Sequence, residues 1–341
     1  MINLGREWDW MGKSKTNMKT FIIAEAGANH NRNFDQALKL IDVAKAAGAD
    51  AVKFQTYSSE TLYSKNTPNF AGYKNINKLI KDIELPREWQ KDLKQYCDTV
   101  GIEFMSTPFD ETAVDELVDI GVKRLKISGF ESTDWRFVDM VAKTGLPLII
   151  SIGIGFELKN IGRILDIVEK YDNDLTLLHC NNAYPTPIQD INLNSIKMLK
   201  GFKHVNAVGL SDHTESVLTP ALAVTMGATV IEKHFTLSRH LPGPDHPFAL
   251  EPNELRQMVS NIRAAEIMLG TVKDGYSQSE LSFQKARRSI VAKEDIKQGD
   301  VLTIDNITTK RPFLKGNISA SDWHTYLGTI SNKDYKQDDF I

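Results

Sequence analysis

Cysteine is scarce in this sequence: among 341 residues there are only two, Cys97 and Cys180, and they form no CxxC pair. This number argues against a disulfide scaffold and predicts a cytoplasmic protein. Cys97 falls in a helical pattern, and Cys180 ends the apolar run LTLLHC. We interpret both as small buried hydrophobic residues rather than catalytic thiols.

Long apolar runs and a strong net charge are also missing. No apolar run approaches the roughly 18 residues that a membrane span needs. Residues 1–20 lack the apolar centre of a signal peptide, and we interpret them as a short N-terminal arm. The formal net charge of −3 gives no electrostatic reason to expect nucleic acid or an anionic membrane as a partner. These absences predict a soluble globular protein.

From Phe21 onward, short apolar segments alternate with amphipathic ones. The amphipathic segments, such as FDQALKLIDVAKAAG, carry apolar residues at helical spacing. Several of them end in a glycine, as is typical of a helix C-cap, at Gly48, Gly101, Gly121, Gly145 and Gly227.

The apolar segments have the length and composition of β-strands. Eight strands alternating with helices over about 250 residues predict the α/β class and a (β/α)8 TIM barrel at residues 21–270. An open doubly wound sheet is the alternative, but no GxGxxG fingerprint opens the first βα unit to support it. The predicted strands are Phe21–Gly27, Ala51–Tyr57, Ile102–Phe109, Arg124–Phe130, Leu146–Ile154, Leu175–Asn182, Ala207–Thr214 and Thr229–Leu237.

The chain changes character after the last predicted barrel helix, Pro252 to Met268. Residues 271–286 are polar, and we interpret them as a linker. Residues 287–341 contain short β-like runs and a turn signal at Gly299-Asp300, which predicts a small mixed β domain. A domain of about 55 residues is close to the size at which independent stability becomes marginal.

Polar residues end the predicted strands, where the active site of a (β/α)8 barrel lies. Side chains alternate along a strand, so Lys53 shares a face with Gln55, and Glu232 with His234. A barrel filled only for stability would carry Val, Ile and Leu here. The series therefore predicts a polar pocket formed from Glu25, Lys53, Gln55, Ser106, Thr107, Lys126, Ser151, Asn181, Asn182, Asp212, His213, Glu232 and His234.

Two lysines and two histidines indicate the kind of ligand. Lys53 and Lys126 lie near an apolar barrel axis, where an unpaired ammonium is costly. An anionic ligand would satisfy both; the alternative is that they pair with Glu25 and Glu232. His213 and His234 end neighbouring strands, and neutral imidazoles near carboxylates suit a divalent metal such as Mn²⁺ or Zn²⁺. We expect His30, in GANHN, to lie near the rim of this site.

Seven motifs in order along the chain closely resemble the sialic acid synthase family, which makes nonulosonic acids such as N-acetylneuraminate, legionaminate and pseudaminate. They are FIIAEAGANHN, AAGADAVKFQTY, STPFD, YPTPIQDINLN, GLSDHT, VIEKHFTL and PGPDHPFALEP. The tail resembles the C-terminal antifreeze-like (SAF) domain of this family. The resemblance implies a transferase that condenses phosphoenolpyruvate with an open-chain N-acetylated hexosamine and releases phosphate. It also implies a Mn²⁺ or Mg²⁺ cofactor and a domain-swapped homodimer.

The resemblance also implies roles for individual residues. His213 and His234 would hold the metal, and Glu25 would be the acid/base partner of the attacking water. Arg311 would reach the pocket of the neighbouring subunit. The phosphoenolpyruvate site would comprise Lys53, Thr107, Lys126, Ser151 and Asn182, and the sugar site Glu25, Gln55, Tyr184 and Asp245. Phe109 would line the active site.

Two segments depart from the family pattern. KISGFE places Gly129 where the family has a phosphate-binding serine, and we expect Ser128 to face the other way. SIGIG, residues 151–155, lacks a threonine of the usual STGMA. Phe130-Glu131 is closer to the pseudaminate branch, whereas PGPDH is typical of the neuraminate and legionaminate branch.

Two other functions are alternatives. A metal-dependent barrel aldolase or hydrolase would explain the two histidines, but not the paired lysines together with the tail. A non-catalytic binding protein is the third hypothesis, because the SAF domain resembles ice-binding proteins. The polar strand ends argue against it.

Overall fold

The computed structural model describes residues 19–69, 74–155 and 157–341. The chain forms two compact units, Met1–Gly270 and Thr271–Ile341. Apart from Lys19 and Thr20, the predicted N-terminal arm lies outside the described residues.

The first unit is built on one parallel eight-stranded sheet in the order β3-β2-β1-β8-β7-β6-β5-β4. Its two end strands lie side by side, so the sheet is a near-closed barrel, which confirms the predicted fold. The strands are β1 Phe21–Gly27, β2 Ala51–Thr56, β3 Glu103–Pro108, β4 Leu125–Ile127, β5 Leu148–Ile152, β6 Leu175–Cys180, β7 Ala207–Asp212 and β8 Val230–His234.

The helices of this unit pack on the outside of the barrel. The first begins at Asn33, whose side chain accepts a hydrogen bond from the backbone of Gln36, and it ends at Gly48 with φ of 87°. A side chain is strained at such a φ, which explains the glycine. No described helix is long and apolar enough to cross a membrane. The helices are α1 Phe34–Ala47, α2 Ser59–Leu62, α3 Ile76–Ile83, α4 Trp89–Val100, α5 Glu111–Asp119, α6 Trp135–Ala142, α7 Ile161–Tyr171, α8 Asn194–Leu199, α9 Thr219–Thr225 and α10 Pro252–Leu269.

Strand alternation divides the side chains of the sheet into two sets. The outward set, which includes Ile22, Phe54 and Leu210, joins the large apolar core beneath the helices. The inward set fills the barrel in layers. An apolar middle layer of Ile23, Ala51, Met105, Ile149, Leu178 and Val230 separates the Arg124–Glu103 ion pair at one end from the charged residues at the C-terminal ends of the strands.

The second unit has its own small core. Strands β9 Ser289–Ala292 and β10 Ile307–Lys310 pair antiparallel, and a short helix, α11 Trp323–Tyr326, follows. The predicted linker contains a 3-10 helix at Gln278–Ala286, begun by a capping box between Ser277 and Glu280. The core residues are Ile290, Ala292, Ile296, Leu302, Ile307, Tyr335 and Ile341.

Candidate active site

A cavity lies among the C-terminal ends of the barrel strands. Asp245 contacts its edge, and Arg311 belongs to the second unit. Twelve of the predicted site residues line the cavity: Glu25, Lys53, Gln55, Thr107, Phe109, Lys126, Ser151, Asn182, Tyr184, His213, Glu232 and His234.

Four charged side chains form the floor of the cavity. Glu25 and Lys53 are Cα partners in the β1–β2 ladder, and Lys53 Nζ lies 2.7 Å from Glu25 Oε2. Glu232 Oε1 lies 3.7 Å from Lys53 Nζ and 3.8 Å from Lys126 Nζ. All four are at most 5% exposed. In the structure both lysines therefore pair with carboxylates, which is the alternative interpretation given above.

Burial and mutual charge shift the pKa of each of these groups. Burial raises the pKa of Glu25 to about 7, an effect that Lys53 opposes and Glu232 reinforces. Burial also acts on Glu232, but Lys126 and Lys53 outweigh it, so its pKa falls. Burial lowers the pKa of Lys126. Burial alone would lower the pKa of Lys53, but Glu232 and Glu25 raise it. Glu25 is thus the carboxyl that exchanges a proton near neutral pH.

Hydroxyl and amide groups complete the floor. Lys53 Nζ donates to Thr107 Oγ1 at 2.9 Å, and Lys126 Nζ donates to Ser151 Oγ at 2.7 Å. Gln55 Nε2 donates to Glu25 Oε1 at 2.8 Å.

Ser211 was not predicted in the site, yet it lines the cavity and donates to Glu232 Oε1 at 3.1 Å. Its alternation with His213 on β7 was the signal that could have identified it.

The imidazoles of His213 and His234 face each other within the cavity. Their ring centroids lie 5.4 Å apart. His213 Nδ1 lies 2.6 Å from the Asn181 carbonyl oxygen; a carbonyl only accepts, so Nδ1 carries the proton and Nε2 is left as the ligand atom. His234 Nδ1 has no hydrogen-bond partner among the described residues. Burial lowers the pKa of His213 to about 4 and that of His234 well below 6.5, so both imidazoles are neutral.

This donor set fits a divalent metal. Neutral imidazole is a metal ligand, and an orphaned, buried ring nitrogen is costly without a partner. Within the residues that the structure describes, no group of three or more His, Cys, Asp or Glu side chains could hold an ion. Substrate or water would supply the remaining ligands.

Aromatic rings and Asp245 surround the histidines. The ring of Tyr184 lies 4.2 Å from that of His213. The ring of Phe248, which was not predicted in the site, lies 5.2 Å from that of His234. Asp245 Oδ2 accepts a hydrogen bond from Ala28 N at 3.3 Å and lies 3.8 Å from His234 Nδ1. The loop that follows β8 thus places a carboxyl beside the unpartnered imidazole nitrogen.

The departure at Gly129 has a steric counterpart. The Asn182 amide fills the space beside Gly129 and Gly153: a Cβ at Gly129 would lie 2.9 Å from Asn182 Oδ1, and one at Gly153 would overlap it. Asn182 Oδ1 accepts from Ile154 N at 2.8 Å. The expectation that Ser128 faces away is wrong, because Ser128 lines the cavity. It lies two residues beyond Lys126 and keeps the same face.

Ser106, Asp212 and His30 lie outside the cavity. Ser106 Oγ lies 2.8 Å from Thr56 Oγ1, and Asp212 pairs with Lys233. Their chain neighbours Thr107 and His213 face inward, so alternation directs Ser106 and Asp212 outward.

His30 is 1% exposed, and its ring lies 6.3 Å from that of Phe54. It packs beneath the helices instead of lying at the rim.

The remaining predicted features were the two cysteines. Both are free and buried. Cys180 lines the cavity, and burial raises its pKa to about 12, so it is a thiol and not a thiolate.

Comparison with known proteins identifies the family. The model of the NeuB family matches residues 40–274, more than half of the chain. The chain belongs to the NeuB family. The SAF domain model matches residues 287–341 of this NeuB-family chain, and the predicted resemblance is confirmed.

Curated relatives agree with this assignment. The chain is 41% identical to the N,N'-diacetyllegionaminic acid synthase of Legionella pneumophila, over 87% of this chain and 86% of the relative. It is 35% identical to a pseudaminic acid synthase of Campylobacter jejuni, over 97% and 98% of the two chains. The NeuB-family chain is therefore an enzyme of the sialic acid synthase type.

A solved structure shares the fold. The N-acetylneuraminic acid synthetase of Leptospira borgpetersenii, in complex with citrate, is 35% identical and superposes with a TM-score of 0.72. The match covers 78% of this chain and 90% of the other.

Proposed function

We propose that this enzyme condenses phosphoenolpyruvate with an N-acetylated hexosamine to form a nine-carbon nonulosonic acid, releasing phosphate. The amino sugar is of the N-acetylmannosamine or diacetamido-trideoxyhexose type. The observation that carries the proposal is the cavity floor: two buried lysines and two buried carboxylates below two neutral imidazoles. The named relatives, all synthases of such acids, support the choice of reaction.

Phosphoenolpyruvate is assigned to the lysine side of the cavity. Lys53 and Lys126 supply two cations in a water-poor site, where charge-assisted hydrogen bonds to phosphate or carboxylate oxygens are strong. Thr107 and Ser151 already bond to these ammonium groups and hold them in place. Asn182 adds an amide from the β6 end.

The sugar is assigned to the histidine side of the cavity. Glu25, Gln55 and Asp245 offer groups for sugar hydroxyls and amides, and the exposed ring of Tyr184 offers an apolar face. Phe109 lines the wall nearby.

His213 and His234 would hold Mn²⁺ or Mg²⁺, which when bound supplies a Lewis acid for the sugar aldehyde. Both imidazoles are already neutral and need no deprotonation to act as ligands.

The residues act on two successive bond changes. Carbon 3 of phosphoenolpyruvate forms the new bond to the aldehyde carbon, and the aldehyde oxygen takes up a proton. Water then adds to carbon 2, Glu25 accepts its proton, and the carbon–oxygen bond to phosphate breaks to release phosphate and leave a keto group. A carboxyl with a pKa of about 7 suits this transfer. The fixed ammonium groups of Lys53 and Lys126 stabilise the developing negative charge without reorganising.

Incubation with phosphoenolpyruvate and a panel of amino sugars tests the proposed reaction. We expect phosphate release that depends on the sugar, together with a product whose mass equals that of the sugar plus one molecule of pyruvic acid. An aldolase of the same fold would release no phosphate from phosphoenolpyruvate, and a hydrolase that cleaved phosphoenolpyruvate would release phosphate without the sugar. Absence of phosphate release with every sugar would contradict the proposal.

The proposed metal has a separate test. Chelation should abolish activity and Mn²⁺ should restore it, and His234→Ala should bind Mn²⁺ far more weakly in calorimetry. His204→Ala is the matched control, because His204 is exposed and lies beside Glu169. Undiminished turnover of metal-stripped enzyme would rule out the metal.

We further propose a domain-swapped homodimer in which Arg311 completes the pocket of the neighbouring subunit. The support is the SAF domain match and the absence of any third lysine or arginine among the described residues that line the cavity.

A further inference from the structure

A buried ion pair lies directly behind the two histidines. Asp212 and Lys233 are Cα partners in the β7–β8 ladder, and their side chains meet at 2.7 Å with no solvent exposure. Each directly precedes one of the histidines, His213 or His234, in the chain. Side chains alternate, so the pair faces the helices while the imidazoles face the cavity.

Thr214 ties this pair to the end of β7. Lys233 Nζ donates to the carbonyl oxygen of Thr214. Thr214 N donates to Asp212 Oδ1 at 2.9 Å, and Thr214 Oγ1 donates to Asp212 Oδ2 at 3.2 Å. Both chain neighbours of His213, Asp212 and Thr214, are therefore bonded to each other. Both are also bonded to Lys233, the residue before His234.

Stability alone does not account for a charged pair in this place. Taking two charges out of water is costly, and replacing a buried ion pair by apolar residues of similar volume is often neutral or stabilising. Unlike apolar side chains, the ion pair forms directional bonds between the ends of the two strands. Those ends carry the two imidazoles, whose rings lie 5.4 Å apart.

We infer that Asp212, Lys233 and Thr214 form a positioning network that fixes the separation and orientation of the His213 and His234 imidazoles for a shared divalent cation. The identity of the cation rests on the proposed function; the placement of the rings does not. These three residues touch neither substrate nor metal and act through the histidines.

The test replaces the pair by an apolar one. The double variant Asp212→Leu/Lys233→Met should unfold at a denaturant concentration close to that of the wild type. Its Mn²⁺ affinity, measured by titration calorimetry, should fall about 10- to 100-fold, as is usual when groups behind metal ligands are removed. Crystal structures of the metal-free proteins should show a changed ring separation.

A matched control lies at the other end of the barrel. Arg124 Nε and Glu103 Oε1 meet at 2.7 Å, at the N-terminal ends of β4 and β3. The variant Glu103→Leu/Arg124→Met should keep both the wild-type Mn²⁺ affinity and the wild-type ring separation.

A single-residue variant covers the case in which the double variant does not fold. Thr214→Val keeps the shape of the side chain but removes its hydroxyl bonds, and should weaken Mn²⁺ binding several-fold. Thr214→Ser, which keeps the hydroxyl, should restore it. Unchanged Mn²⁺ affinity and ring separation in folded variants would overturn the inference. If the wild type binds no Mn²⁺, the proposed metal is wrong, and the ring separation in the variants still decides the inference.

Discussion

Lys126 is the residue whose environment most needs a ligand. Lys126 is 2% exposed. Its ammonium lies 3.8 Å from the Glu232 carboxylate, which also faces Lys53. Ser151 and a backbone carbonyl take the remaining hydrogen bonds. Two ammonium groups thus share the charge of Glu232, while Glu25 holds or releases a proton near neutral pH. An incoming anion would complete the charge balance.

Lys126→Met removes the charge but keeps most of the side-chain volume. We expect phosphoenolpyruvate binding to weaken by roughly 1.5–3 kcal/mol, the usual loss for a hydrogen bond to a charged group. Calorimetry measures the affinity, and circular dichroism checks the fold. Lys197→Met, at an exposed position of α8, is the control. Equal affinity in the wild type and Lys126→Met would reject the anion site.

Glu25→Gln tests the raised pKa of Glu25. The folded-state pKa of about 7 exceeds the ordinary value, so the folded protein holds a proton that the unfolded chain loses between pH 4.5 and 7. The stability of the wild type relative to Glu25→Gln is therefore present at low pH and lost as pH rises through this window. The steepest slope is about 1.4 kcal/mol per pH unit. Urea unfolding of the metal-free proteins measures it, and a flat difference would show that the carboxyl ionises normally.

At the scale of elements, periodicity predicted the strands but not the residue at which each strand ends. β4 was predicted at Arg124–Phe130, but it ends at Ile127, because Ser132 N bonds back to the Ser128 carbonyl at 3.1 Å and a 3-10 turn begins at Glu131. Such a turn depends on local hydrogen bonds that alternation does not encode.

Alternation also limited the prediction of the site. Adjacent polar residues such as Ser106-Thr107 leave open which of the two faces inward. Ser106 faces outward, where its hydroxyl bonds to the buried hydroxyl of Thr56. A single sequence does not reveal that partner. The pairing of the floor lysines with Glu25 and Glu232 likewise depends on the register between strands, which fixes distances that the order of residues leaves open.

Gly209 shows how closely strand β7 packs against its neighbours inside the barrel. A Cβ at this position of β7 would overlap the Val230 carbonyl oxygen of β8 and lie 2.7 Å from Leu178 Cδ2. Gly209→Ala should therefore push β7 from β8 and destabilise the barrel by roughly 1–3 kcal/mol. Gly162→Ala is the matched control: in α7 its Cβ would meet nothing within 4 Å, so a gain of about 0.5–1 kcal/mol is expected. Urea denaturation compares them, and equal stabilities would contradict the close packing.

At the scale of the whole molecule, the cavity and Arg311 belong to different units of the chain. The floor residues come from six strands of the barrel, so the barrel alone builds the charged floor. Arg311 follows β10 in the second unit, which has a small apolar core of its own. In the proposed homodimer, a two-fold axis creates two equivalent active sites, each formed from both chains. The number of complete sites in a mixed dimer can therefore be calculated.

Mixing two inactive variants tests the shared site. His234→Ala and Arg311→Ala homodimers should each be nearly inactive. After unfolding, mixing and refolding, one barrel of each mixed dimer has both histidines and receives an intact Arg311 from its partner. Random pairing should restore roughly a quarter of wild-type sites, because half of the dimers are mixed and each has one complete site. If Arg311 acts within its own chain, no pairing rebuilds a complete site, and activity that stays at background after verified mixing rules out the exchange.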